Sequence, residues 1–260
     1  MSVHLADYIE NAEFQLERLV PRLTTTELSW AEIQTMTFAY RQRGVCTLLL
    51  TGIPDLFYIS MMQSAGAFLY YLQKSPDERK VTSECKPFYD ALCGAYIDAA
   101  EAIARHSRSS WNPDEEYEEE FLYVYLLMQI LFEPDSTARC RELLERLEVV
   151  HTPSEASELE LCRSLLTRDS AAFDTALAAL LEERRDGVTA MVDRGALPEE
   201  LAAWMRPFES EGLAVIRLAE KLGMKTGPQY LHVPDVLRPA SPYRFDPDAW
   251  RVLEYSPASR

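Results

Sequence analysis

Apolar residues recur at three- and four-residue intervals through most of this chain, and strict apolar–polar alternation is nearly absent. Leu5, Ile9, Ala12, Leu16 and Leu19 predict a first helix, ended at Pro21. Ser29 and Glu32 have capping-box spacing ahead of the stripe Trp30, Ile33, Thr37 and Tyr40, with Gly44 placed to close that helix in a left-handed conformation. Gly52-Ile53-Pro54-Asp55 is a break. Leu56–Leu72 is apolar nearly all round, which predicts a central helix. After a polar loop at Lys74–Lys86, the positions Phe88, Leu92, Ala95, Ala99 and Ile103 predict one helix ending near His106. Ser107–Pro113 breaks the pattern, and Asp114–Phe132 starts acidic and turns apolar. Ser136–Val149 and Ser154–Thr167 read as a hairpin joined at Thr152-Pro153, with a second capping-box match at Ser157 and Glu160. Phe173, Leu177, Leu180 and Leu181 lead the next helix. Pro198 suits the first turn of another helix, with Leu201, Trp204 and Met205 behind it, and Pro207 interrupts that helix. Leu213, Ile216, Ala219 and Leu222 form the last stripe, closed by Gly223.

From Met224 the character changes. Six prolines fall in the last 37 residues, which excludes continuous helix there. The segment still carries Tyr230, Leu231, Val233, Val236, Leu237, Tyr243, Phe245, Trp250 and Leu253, apolar enough to pack onto other elements. The expectation is an all-α fold: stacked antiparallel helical hairpins, as a bundle or short irregular solenoid, with an extended proline-rich C-terminal segment. Residues 1–223 would form a helical domain of about ten helices and residues 224–260 the segment packed on it. No fixed period of about 30–45 residues supports a regular repeat array.

Composition narrows the function classes. Hydrophobic residues make up 47% of the chain, enough for a sizeable core. The formal charge of −16 disfavours nucleic acid and anionic membrane surfaces and suits a basic partner. Met1–Glu10 lacks the basic and apolar regions of a secretory leader, and no apolar run reaches membrane-spanning length. A cytoplasmic location with five reduced, buried thiols is the expectation: the cysteine number is odd and no C-x-x-C occurs. His4, His106, His151 and His232 have no partner at metal-ligand spacing. Nucleophile-elbow, phosphate-loop and dinucleotide motifs are absent. Catalytic residues, metal and cofactor are therefore all expected to be none, and a deep pocket with convergent polar groups is what would reopen catalysis.

One local feature stands out: Asp114, Glu115, Glu116, Glu118, Glu119 and Glu120, with Tyr117 inside the run. Residues 113–160 hold 14 acidic and three basic residues, a net −11. Carboxylates in a helix first turn complement its dipole, which is the plain structural explanation. Concentrated like charge also costs stability that a basic partner would turn into attraction. Trp111 and Tyr117 are candidate interface anchors or core residues at a helix entrance. Arg139, Arg141, Arg146, Arg184 and Arg185 are expected in surface pairs at i, i+4 spacing.

Three stretches of the second half carry a resemblance. They are Arg168–Leu181 with Glu182-Glu183-Arg184-Arg185 after it, the helix Gly212–Gly223, and the closing Tyr230-Leu231-His232-Val233-Pro234-Asp235-Val236-Leu237. In this order they resemble the C-terminal half of the immunity protein 49 family of bacterial polymorphic toxin systems. The resemblance implies an all-helical antitoxin, not an enzyme, whose partner is a cognate toxin domain that it binds and blocks. It supplies no motif for the toxin-binding site; residues 114–120 are put forward for that role on charge alone. The alternative from the residues is a helical adaptor or scaffold that binds a peptide in an aromatic groove.

Overall fold

The computed structural model describes residues 4–26, 28–132, 137–152 and 156–258. Eleven α-helices and no β-strand occur among them. They are α1 Leu5–Thr25, α2 Trp30–Thr51, α3 Asp55–Lys74, α4 Lys86–Cys93, α5 Ile97–His106, α6 Glu118–Ile130, α7 Thr137–Val150, α8 Ala156–Thr167, α9 Ser170–Asp193, α10 Glu199–Met205 and α11 Ser210–Lys221. Short connections fold successive helices back on one another, and α1 packs on α2, α2 on α3, α6 on α7 and α8 on α9. The central helix is α3, which also touches α4 and α5, while α11 returns to lie against α4. Phe57, Met61, Met62, Ala65 and Phe68 of α3 are fully buried.

Local chemistry accounts for several boundaries. Ser29 caps α2: its Oγ accepts from the Glu32 amide while the Glu32 carboxylate accepts from the Ser29 amide. Asp169 caps α9 by accepting from the amides of Ala171 and Ala172 at 3.0 and 3.1 Å. Gly52 ends α2 at φ 71°, a conformation glycine adopts without strain.

Five boundary expectations are corrected. Gly44 does not end α2, because it lies where α2 crosses α3; a Cβ there would sit 2.8 Å from the Ser60 Cβ, so the glycine sets the close approach. α1 runs through Pro21 to Thr25, and burial of Val20 and Leu23 on either side of the proline offsets its missing amide bond. The single helix expected across residues 88–106 is two helices. Ala95 adopts φ 57° and the Tyr96 ring covers Gly94, turning the chain. The acidic segment precedes its helix in part: α6 begins at Glu118, after a turn at residues 113–115. Ser157 lies inside α8, buried, and donates to the Glu183 carboxylate of α9 instead of capping with Glu160. The expected starts at Ser136 and Ser154, and Pro153 of the joint, lie outside the described residues.

No α-helix occurs in residues 224–258, so their carbonyls need other donors. Buried side chains of the helices supply them. Gln63 Nε2 donates to the carbonyls of Ala249 and Val252 at 3.1 and 2.7 Å, and Tyr40 Oη to that of Trp250 at 2.6 Å. Arg217 Nη2 donates to the carbonyls of Leu237 and Pro239 at 2.9 and 2.7 Å, and Tyr58 Oη to Pro239 at 2.7 Å. Trp250 is fully buried, with its backbone neighbour Pro247 against Gly66 of α3.

Candidate binding cleft and acidic surface

The seven residues put forward from charge separate into different environments. Asp114, Glu115 and Tyr117 are exposed, Tyr117 by 71%. Glu116 is buried: its Oε2 accepts from the Ser83 amide at 2.8 Å and its carbonyl from Trp111 Nε1 at 2.9 Å. This carboxylate pins the turn to the loop before α4 and does not face outward. Glu118 forms a two-point pair with Arg146 of α7 at 2.7 and 2.8 Å. The Arg146 side is half exposed, so solvent screens the pair and it contributes little to stability. Glu119 is half-buried, and Glu120 is exposed at the edge of a cleft.

That cleft has a volume of about 860 Å³ and lies between α2, α4, α6, α8, α9, α10 and α11. Glu120, Tyr123 and Val124 share one face of α6 at i, i+3, i+4 spacing, so the acidic segment runs directly into it. Aromatic walls come from Phe38, Tyr89, Tyr123, Trp204 and Phe208, with Phe38 against Trp204 at 5.5 Å between ring centroids. Arg184 of α9 crosses the floor. It donates to Glu211 of α11 at 2.9 Å and to Glu158 of α8 at 2.5 Å. The Glu211 charge, and then its hydrogen bond and Glu158, hold the guanidinium pKa above its ordinary value despite burial. Glu209 stands beside Glu211, and burial followed by the Glu211 charge raises its carboxyl pKa. Burial also raises the Tyr89 and Tyr123 hydroxyls well above the usual range.

The long-range pairing of Arg184 corrects the i, i+4 expectation. Arg146 is likewise committed between helices, whereas Arg139 pairs with Glu142 at i, i+3 on its own helix. Sequence reasoning missed Trp204, Phe208, Glu209 and Glu211 as cleft residues, which come from two short late helices and the turn between them. Two carboxylates at the head of the α11 stripe were the available signal, but they read equally as a first-turn dipole complement.

The stack is thus not closed, and the cleft is the polar-lined recess that would reopen catalysis. Its lining holds no histidine or cysteine, and Glu158 and Glu211 are engaged by Arg184. Among the described residues no group of three histidines, cysteines or carboxylates is placed to hold a metal, and no helix is long and apolar enough to cross a membrane. All five cysteines are buried thiols; burial pushes those of Cys46 and Cys85 up to about 12. Iodoacetamide at pH 8 is therefore expected to leave the native chain unlabelled and to modify all five thiols in urea. Mass spectrometry showing rapid native labelling would contradict this packing.

An aromatic recess beside a concentrated acidic surface is the candidate site of this all-α stack. The chain belongs to the immunity protein 49 family, whose model it matches over residues 45–237. The match starts in α2 and so extends well ahead of the second-half stretches that carry the resemblance. Comparison with curated proteins and with solved structures returned no match.

Proposed function

We propose that this chain is an antitoxin of a bacterial polymorphic toxin system that binds a cognate toxin domain and covers its toxic face. The acidic surface around Asp114, Glu115, Tyr117 and Glu119 acts as the docking face. The observation that carries this reading, beside the family, is the net −11 concentrated in residues 113–160. Opposite charge on the toxin would speed encounter, and the exposed Tyr117 ring supplies apolar contact near the centre of the patch.

The test is a binding titration against the toxin domain encoded beside this chain. Tight binding is expected, weakening at least about tenfold as salt rises from about 0.05 to 0.5 M. The triple substitution Asp114→Lys, Glu115→Lys, Glu119→Lys should weaken it further. Tight binding indifferent to salt and to these substitutions would move the interface elsewhere. No binding at all would favour the adaptor reading, in which the aromatic cleft takes a peptide from another partner.

A further inference from the structure

The cleft floor is unbalanced in two independent ways. The first is charge. Glu158, Glu209 and Glu211 meet there, and Arg184 is the guanidinium between them. Other cations near Glu209 do not remove the excess. Arg41 is committed to the fully buried Asp90, with Nε and Nη2 each 2.8 Å from its carboxylate. Lys86 is exposed at the rim, where Glu84 and Glu120 also stand. Carboxylates drawn together away from water repel one another, and a further cation would relieve that repulsion.

The second is hydrogen bonding. Trp204 Nε1 and Tyr123 Oη are buried with no partner among the described residues, and both residues line the cleft. Trp204 and Tyr123 are only 4% and 3% exposed. An indole N–H can only donate, so it requires an acceptor; a phenol can also accept from a cationic N–H. A ligand that answers both would offer a carbonyl-type acceptor and a cation. An extended basic peptide segment has both, and aromatic walls suit the stem and head of a long basic side chain.

We propose that a projecting basic loop of the toxin domain inserts into this cleft. Its lysine or arginine side chain sits among Glu209, Glu211 and Glu120, and one of its backbone carbonyls accepts from Trp204 Nε1. This rests on the toxin-binding reading above and deepens it: the acidic surface steers the toxin, and the cleft holds it. Glu120 belongs to both, so the two regions form one continuous interface.

The experiment uses the full chain and the toxin domain encoded beside it. Trp204→Phe and Tyr123→Phe remove the polar atoms and keep the rings, and Glu209→Lys reverses one charge. Thermal melting confirms that each variant is folded before it is titrated. Trp204→Phe is expected to weaken binding about tenfold, mainly through faster dissociation. Glu209→Lys should weaken it at least about 30-fold. A photo-crosslinking residue at Phe38, on the rim, should capture a toxin peptide that contains lysine or arginine.

If wild type does not bind the toxin domain, the antitoxin reading and this inference both fall. If wild type binds tightly and the folded cleft variants bind equally well, the inference alone fails and the antitoxin reading stands. Weakened variants whose Phe38 crosslinks recover no basic toxin peptide would also overturn it.

Discussion

Arg41→Met should destabilise this protein by about 3–5 kcal/mol, because it leaves a carboxylate in the core without its cation. Asp90 on α4 is fully buried. It accepts from Arg41 Nε and Nη2 of α2, both at 2.8 Å, and from Ser64 Oγ of α3 at 2.6 Å. Three helices therefore converge on one carboxylate. Methionine has similar length and can fill the space of the Arg41 stem, so the loss isolates the charge from the packing. The double variant Arg41→Met, Asp90→Leu removes both ions and should recover most of the stability, since a buried pair stabilises little over apolar residues of similar size. Urea unfolding of the two variants and wild type measures both effects. A loss below about 1 kcal/mol for the single variant would show that the carboxylate finds water or another donor.

Trp250→Ala should cost about 3–5 kcal/mol, a decrease of about 10 °C in melting temperature for a chain of this size. The indole is fully buried, packs 5.1 Å from the Tyr70 ring and has Arg251 over it. It anchors a stretch that, among the described residues, has no α-helix or sheet ladder of its own, only single 3-10 turns such as Ala249–Arg251. Losing it would weaken the bonds that Tyr40 and Gln63 make to the carbonyls around it, leaving those buried donors without acceptors. Calorimetry and hydrogen exchange check this. Exchange should rise first in residues 240–258 and at the facing turns of α2 and α3. A small loss with unchanged exchange would mean that the segment is held by its other contacts through Tyr58, Arg217 and Tyr96.

Periodicity, capping and breaks along the chain determined the class of fold. The Ser29–Glu32 box, the Gly52–Asp55 break and the all-round apolar Leu56–Leu72 stretch are local or compositional signals, and each places an element without knowledge of its neighbours. The concentration of acid at residues 113–160, and with it the interest of residues 114–120, was equally visible. Tertiary structure decided the rest, because the deciding contact was distant in sequence. Gly44 passes through a helix instead of ending it because α3 lies 2.8 Å from where its Cβ would be. Glu116 turns inward because the amide of Ser83 is there to donate to its carboxylate, while Tyr117 beside it stays in water. The cleft exists only where α2, α4, α6, α8, α9, α10 and α11 meet. A lone glutamate in sequence reads as a solvated charge, and only packing shows Glu158, Glu209 and Glu211 gathered around Arg184, with an indole N–H and a phenol left unpaired nearby. Helical period reports which face of each element is buried, but not which distant side chain it will meet.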